Sequence, residues 1–138
     1  MNIAIRYFTK SKKGNSRKLA EAVSRALGLE ALEVSADLSE RVDKLFLINA
    51  MYAANIDKEV AQFLARNQEK IGEIINMNTS ASGASTLKAI KGVAEGLQIP
   101  VSEKAFACKA SWIFINQGLP SAEDFARAED FARQAAEE

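Results

Sequence analysis

The chain has no histidine and a single cysteine, Cys108, among its 138 residues. These absences exclude zinc fingers, iron–sulfur clusters, disulfide scaffolds, serine–histidine–aspartate triads and cysteine–histidine dyads, because each needs residues that the chain lacks. Any chemistry must therefore come from carboxylates, hydroxyls, lysines, backbone amides or a bound cofactor. No metal site is predicted.

Long hydrophobic runs are missing as well. The longest apolar segment without a charge, residues 112–119, is interrupted by Asn116 and Gln117 and is too short to span a bilayer. The first residues lack the basic region, apolar core and cleavage site of a signal peptide. Together with the lone cysteine, which suits a reducing compartment, these features predict a cytoplasmic protein with no membrane partner.

Neither sign of charge is in excess, since 18 basic residues balance 18 acidic ones. No bulk charge therefore attracts the chain to nucleic acid or to a membrane. The hydrophobic fraction of 48% and the charged fraction of 26% are typical of globular proteins. A chain of this length predicts one domain, residues 1–138, with a core of its own.

The basic residues are unevenly distributed along the chain. Residues 1–28 contain seven basic side chains and one acidic side chain. Five of the basic residues lie close together: Lys10, Lys12, Lys13, Arg17 and Lys18. They could attract a phosphate or an anionic partner, or they could form an ordinary solvated surface. No exposed aromatic residues are interleaved with them, so a nucleic-acid partner is not predicted.

Strand and helix patterns alternate along the chain. Strand patterns occupy five regions: residues 3–8, 32–34, 45–48, 74–77, and a fifth region made of 101–108 and 112–115. Apolar residues at helical spacing predict four helices: residues 19–27 closed by Gly28, 56–64, 87–97 ended by Pro100, and 121–135 capped by Ser121 with Asp124.

This alternation predicts an α/β fold. Parallel neighbours need crossover connections, so the helices should cover both faces of a five-stranded parallel sheet in a three-layer, doubly wound sandwich. Right-handed crossovers favour the strand order 2-1-3-4-5. In that order, ligands bind beyond the carboxyl ends of strands 1 and 3, where the order reverses.

The loop after the first strand is rich in hydroxyl groups and runs directly into the first helix. Thr9, Ser11 and Ser16 supply hydroxyls, and Gly14 and Asn15 stand at the helix start. Free amides and the positive end of the helix dipole attract a phosphate there. Alternatively, Asn15 simply caps the helix. The segment is neither a Walker loop nor a dinucleotide-binding fingerprint.

The chain begins with a strand, a hydroxyl-rich loop that contains Gly-Asn-Ser, and an alanine-rich helix. This succession resembles the FMN-phosphate loop of flavodoxins, whose motif runs Ser/Thr-x-Thr-Gly-Asn-Thr/Ser. Residues 45–52 are similar to the third strand of that family and the loop beside the flavin ring, and residues 74–83 to its fourth strand and the other ring-binding loop. Residues 106–109 and 118–124 are similar to the end of short bacterial members. The resemblance covers nearly the whole chain.

The resemblance implies FMN as the cofactor and three groups of binding residues. The phosphate would be held by Thr9, Ser11, Gly14, Asn15 and Ser16. One side of the isoalloxazine ring would be lined by Ala50, Met51, Tyr52 and Ala53. The other side would be lined by Thr79, Ser80, Ala81, Ser82 and Gly83. An aromatic ring such as Tyr52 can stack on a flavin, and small residues let backbone groups approach the ring edge.

The flavodoxin resemblance implies an electron-transfer protein whose partners are a reductase and an acceptor protein. The flavin carries out the redox chemistry and the protein tunes its potential, so no acid–base residue is required. Two alternatives stay open. One is a small FMN-dependent reductase with a nicotinamide donor, and the other is a binding or regulatory module with this fold and without flavin.

Two single residues invite separate interpretations. Trp112 lies between apolar neighbours, which favours packing in the core or an interface over a ligand contact. Lys109 beside Cys108 could lower the pKa of the thiol, but a structural, half-buried cysteine is the favoured interpretation.

Overall fold

The computed structural model describes residues 1–10, 14–51, 55–111 and 115–138. In these residues the chain forms the strands β1 (Ile3–Tyr7), β2 (Ala31–Glu33), β3 (Lys44–Ala50), β4 (Ile74–Ser80) and β5 (Phe106–Lys109). The helices are α1 (Asn15–Leu27), α2 (Lys58–Arg66), α3 (Leu87–Gly96) and α4 (Ala122–Glu137), and a short 3-10 turn, Gln68–Lys70, follows α2.

The strands form one parallel sheet in the order β2-β1-β3-β4-β5. This result confirms the predicted α/β architecture and the predicted strand order. Parallel pairing brings the carboxyl ends of all five strands to the same edge of the sheet, called the carboxyl edge below. The strand order reverses between β1 and β3, so a crevice opens at that point of the carboxyl edge.

Two apolar cores lie on the two faces of the sheet. Leu45 and Leu47 of β3 point to one face, and Phe46 and Ile48 point to the other, and all four are fully buried, as the continuous apolar run predicts. The first face packs against α2 and α3 through Val60, Phe63, Leu64, Ile90 and Ala94. The second face packs against α1 and α4 through Leu19, Ala20, Val23, Ala128, Ala132 and Ala135.

The fifth strand is shorter than the sequence predicts. Only Phe106–Lys109 pairs with β4 as a strand, whereas Val101 forms a single bridge with Ile74. Glu103 and Lys104 lie between these points and are exposed, so the chain leaves the sheet there. The predicted continuation over residues 112–114 falls outside the described residues.

Helix α3 ends at Gly96, and the turn at Gln98, not Pro100, ends the helix. Gln98 adopts a left-handed backbone with φ 58°, and the N–H of Ile99 donates to the carbonyl of Ala94 at 2.9 Å. A left-handed residue just past a helix lets the chain turn back and satisfy the last carbonyls. The prediction that Pro100 terminates this helix is therefore wrong.

Helix α4 is held at both ends. At its start, Ser121 Oγ accepts from the N–H of Asp124 at 3.2 Å, and the Asp124 carboxylate accepts from the N–H of Ser121 at 2.8 Å, which confirms the predicted cap. Near its end, the buried ammonium of Lys44 donates to the carbonyl of Ala135 at 2.6 Å. The first residue of β3 thus satisfies a carbonyl that the helix end leaves unpaired.

In the part of the chain that the structure describes, no helix combines the length and the hydrophobicity needed to cross a membrane. Within the same residues, no group of three or more acidic or cysteine side chains is arranged to hold a metal ion.

Candidate functional site

The carboxyl edge brings the three predicted loops next to one another. Tyr7 of β1 pairs with Ile48 of β3, and the N–H of Phe8 extends this pairing by donating to the carbonyl of Ile48 at 3.1 Å. Beyond the last pair of β3 and β4, the N–H of Met51 donates to the carbonyl of Thr79 at 3.1 Å. The loops that follow β3 and β4 therefore begin within one residue of each other in the register of the sheet, and the loop after β1 begins two residues before the end of β3.

The start of α1 presents backbone donors to this edge. Gly14 occupies the N-cap position with φ 64°, a left-handed conformation that favours glycine. The first helical hydrogen bond runs from the N–H of Lys18 to the carbonyl of Gly14 at 2.9 Å. The N–H groups of Asn15, Ser16 and Arg17 precede it and have no acceptor within the helix. They form a donor set suited to an anion.

The side chains of Asn15 and Ser16 are buried and already bonded within the protein. Asn15 is the first residue of α1, and its Nδ2 donates to the carbonyl of Ser111 at 3.2 Å. Ser16 Oγ lies 3.4 Å from Thr79 Oγ1. The alternative in which Asn15 caps the helix is wrong, because Gly14 holds the N-cap position and no side chain caps it there. Asn15 instead connects α1 to the segment after β5.

Two of the five residues predicted for the second ring loop lie in a strand. Thr79 and Ser80 are the last residues of β4, and they pair with Cys108 and Lys109 of β5. Both are buried. The loop itself therefore begins at Ala81, and the parallel pairing with β5 is the reason why the strand continues this far. Ala50 likewise closes β3, and Met51 follows it half-buried.

The loop after β4 is tied to the strand below it by side chains. The carbonyl of Ala84 accepts from Asn78 Nδ2 at 2.9 Å and from Ser80 Oγ at 3.0 Å. The N–H of Thr86 donates to Asn78 Oδ1 at 3.0 Å. Asn78 is fully buried, so the side chain that anchors this loop to β4 is shielded from water.

Beneath the site lies a closed ring of three buried polar side chains that the sequence analysis did not identify. Thr86 Oγ1 donates to Asn49 Oδ1 at 2.6 Å and accepts from Asn76 Nδ2 at 3.0 Å. Asn49 Nδ2 donates to Asn76 Oδ1 at 2.8 Å. The signal in the sequence was the presence of asparagines in otherwise apolar strands, since a buried amide needs partners.

An ion pair crosses the edge between the loop after β1 and the start of α2. Lys10 Nζ lies 2.7 Å from Asp57 Oδ2, and Asp57 Oδ1 caps α2 by accepting from the N–H of Glu59 at 2.9 Å. Burial raises the pKa of Asp57, but the bonds from Lys10 and Glu59 lower it more, so the pKa lies below its usual value. The carboxylate is therefore charged at neutral pH and fixes Lys10 beside the crevice.

A groove of about 360 Å³ flanks the start of α1. It lies between α1 and the start of α4 and is lined by Asn15, Lys18, Ser111, Gly118, Leu119, Pro120 and Phe125.

The remaining predicted site residues differ in their exposure. Thr9 is half-buried after β1, Ala81 and Ser82 are exposed, and Gly83 is half-buried. Six residues named in the predictions lie outside the described residues: Ser11, Lys12, Lys13, Tyr52, Ala53 and Trp112. Their assignments stay predictions.

Cys108 is buried in β5, as the favoured interpretation expects. Burial, with a smaller contribution from the Asp124 carboxylate, raises the pKa of the thiol to about 11, and Arg127 opposes this effect. The hypothesis that Lys109 lowers the pKa of this thiol is wrong. A thiol with so high a pKa is a poor nucleophile at neutral pH.

We expect Cys108 of the folded protein to react with iodoacetamide at pH 8 at least about 100-fold more slowly than in urea, because a pKa two units above the ordinary value leaves about 100-fold less thiolate. The folded state keeps its proton where the unfolded chain loses it, so stability should fall as the pH rises from about 9 to about 11. Equal labelling rates in folded and unfolded protein would contradict the burial of the thiol.

The architecture defines a doubly wound α/β protein whose strand order reverses between β1 and β3. No family model matches the sequence, and no curated protein matches it. Solved structures match well. A flavodoxin from the domain Archaea superposes with a TM-score of 0.76 at 10% identity, and the match covers 99% of this chain and 97% of that one.

Two further flavodoxins superpose over nearly their whole length. A short-chain flavodoxin associated with a non-canonical PDU bacterial microcompartment gives a TM-score of 0.73 at 15% identity, covering 99% of this chain and 98% of that chain. The Fusobacterium nucleatum flavodoxin bound to flavin mononucleotide gives 0.66 at 10% identity, covering 99% and 98%. The chain has the flavodoxin-like fold, which confirms at the level of the fold the resemblance seen in the sequence.

Proposed function

We propose that this protein is a flavodoxin-type electron carrier that binds FMN at the carboxyl edge of its sheet. The observation that carries the proposal is the convergence of three features at the strand switch. These are the N–H groups at the start of α1 that have no acceptor within the helix, the residue Met51 that follows β3, and the small-residue loop after β4. The structural likeness to flavodoxins, one of them bound to FMN, supports the same assignment.

The donors at the start of α1 fit a phosphate. Three consecutive N–H groups, those of Asn15, Ser16 and Arg17, point out of the helix end with its positive dipole. The first turn of α1 contains no acidic residue, and Arg17 and Lys18 are exposed beside it. A phosphate dianion would therefore meet donors and positive charge in the first turn of α1. The one carboxylate on this helix is Glu21, which lies a turn further along and pairs with Arg17 at 3.3 Å.

The starts of the two remaining loops lie side by side, as an aromatic ring bound between the loops would require. The N–H of Met51 bonds the carbonyl of Thr79, and the two loops start within one residue of each other in the register of the sheet. Ala81, Ser82 and Gly83 carry small side chains that leave their backbone accessible to a ring edge. When bound, the flavin supplies the redox chemistry by taking up and releasing one or two electrons. The partners would be a reductase and an acceptor protein.

We expect FMN to bind the flavin-free protein with one-to-one stoichiometry, with quenching of flavin fluorescence as the signal. Riboflavin should bind more weakly, because it lacks the phosphate that the start of α1 would hold. Oxidation of NADH or NADPH by the FMN-loaded protein alone would favour the reductase alternative. Absence of binding at tens of micromolar FMN would refute the carrier and leave a flavodoxin-like fold that works without flavin.

A further inference from the structure

We propose that Asn116 is a positioning residue for the flavin ring, because it orients the peptide between Ala81 and Ser82. Its side-chain amide holds the carbonyl of Ala81, so that the N–H of Ser82 is directed toward the β3 side of β4. The inference rests on the proposed function, and it adds a residue that belongs to none of the predicted phosphate or ring segments.

The contact between Asn116 and the loop is direct. Asn116 Nδ2 donates to the carbonyl of Ala81 at 2.6 Å and to the carbonyl of Ala110 at 3.2 Å. The backbone of Asn116 is left-handed with φ 55°, a conformation that asparagine tolerates better than most residues. Its carbonyl accepts from the N–H of Leu119 at 3.0 Å, which closes the turn that carries it. The amide is therefore presented to the loop from a fixed backbone.

The direction of the Ser82 N–H follows from the planarity of the peptide bond. In a trans peptide, the carbonyl of one residue and the N–H of the next point in opposite directions. Asn116 also bonds Ala110, which follows β5, and so it contacts the loop from the β5 side. Strand β3 lies on the other side of β4. The N–H of Ser82 is thus turned toward the β3 side of β4, where the ring would lie.

The N–H of Ser82 could donate to a ligand. In the described part of the chain, no acceptor takes a hydrogen bond from this N–H. The pyrimidine edge of an isoalloxazine ring carries carbonyl oxygens and a ring nitrogen that accept hydrogen bonds. Ser82 would donate to that edge, and a donor fixed before binding costs less entropy to use than one that must first be ordered.

The rest of the loop is held independently of Asn116. Asn78 and Ser80 fix the carbonyl of Ala84. A methyl group added at Gly83 would lie only 3.2 Å from Lys109 Cγ, which shows that the stem of Lys109 packs against this glycine. Loss of the Asn116 amide should therefore release the Ala81–Ser82 peptide while the following residues keep their place.

Two substitutions test the proposal with little disturbance of the backbone. Asn116→Gly removes the amide and keeps a residue that adopts positive φ easily, and Asn116→Asp keeps the size but replaces the donor with an acceptor. Asn116→Gly should weaken FMN and riboflavin binding by the same factor, about fivefold, as expected for one lost hydrogen bond. Asn116→Asp should weaken both at least as much, because its carboxylate repels the carbonyl of Ala81 that the amide holds. The visible absorption band of bound flavin should shift. The exposed neighbour Gln117, changed to alanine, serves as the matched control.

The NMR order parameter of the Ser82 N–H in the flavin-free protein gives a readout that is independent of flavin. In Asn116→Gly, this order parameter should fall because the peptide is released, while the N–H of Thr86 stays ordered by its bond to Asn78. Unchanged affinity and spectrum in both variants would overturn the inference and leave the carrier function intact. A wild-type protein that binds neither flavin would overturn the proposed function, and the inference with it.

Discussion

Replacing Asn15 with aspartate should weaken FMN binding about 100-fold at neutral pH, with much less effect on riboflavin. Asn15 opens α1, and its Nδ2 donates to the carbonyl of Ser111. A carboxylate in the first turn of α1 would lie close to a phosphate held by that turn, where like charges repel by about 3 kcal/mol. This repulsion outweighs the roughly 0.3–1 kcal/mol that an acidic residue gains from the helix dipole. Fluorescence titrations with both flavins measure the difference.

The control for charge is Asn15→Ala, which removes the side-chain bond to the carbonyl of Ser111 without adding a carboxylate. It should reduce FMN affinity by no more than about tenfold, the usual effect of one hydrogen bond. Lowering the pH toward 4 should restore part of the affinity of the aspartate variant, since protonation removes the repulsion. If the ratio of FMN to riboflavin affinity does not change in the aspartate variant, the phosphate does not bind at the start of α1.

The second large effect concerns stability. Replacing Thr86 with valine should lower the free energy of unfolding by about 3 kcal/mol, because the loss of one hydroxyl removes the partner of two buried groups. Those groups are Asn49 Oδ1 and Asn76 Nδ2, each bonded to Thr86 Oγ1. Valine keeps the shape of threonine, so the change tests the hydrogen bonds and not the packing. Urea denaturation followed by circular dichroism measures it.

Serine at the same position is the matched control. Thr86→Ser keeps the hydroxyl and loses one methyl group, which costs about 1 kcal/mol at a buried site. Thr86 makes no side-chain cap to α3, so helix capping does not confuse the comparison. Equal destabilisation by serine and valine would show that the buried ring of side chains contributes little.

The fold could be predicted from the sequence because its main signals are local. The continuous apolar run in residues 45–48 indicates a strand covered on both faces, and helical spacing follows four of the five predicted strands. The end of β5 could not be predicted in this way. Strand β5 pairs with Thr79 and Ser80 of β4, and these two strands are distant in the sequence. The same pairing makes Thr79 and Ser80 part of a strand, whereas the sequence predicted a loop there.

The candidate site was predictable only in part. The motif with Gly14 and Asn15 indicated the start of α1, but the bond from Asn15 to Ser111 joins residues that only the tertiary fold brings together. Asn76 and Asn78 are two residues apart in β4, which places them on one face of the sheet, and that spacing was a readable signal. Their shared neighbour Thr86 was not readable, because its role depends on how the loop returns to the strand.

The attachment of Lys44 to the last turn of α4 has a consequence for how the protein opens. Terminal helices usually fray and detach as separate units of low stability. Here the first residue of the central strand bonds the carbonyl of Ala135, while Ser121 and Asp124 close the opposite end of the helix. Detachment of α4 would break the bond to Lys44 and expose the apolar core that Ala128, Ala132 and Ala135 cover, so the helix and the sheet should be lost together in one cooperative transition.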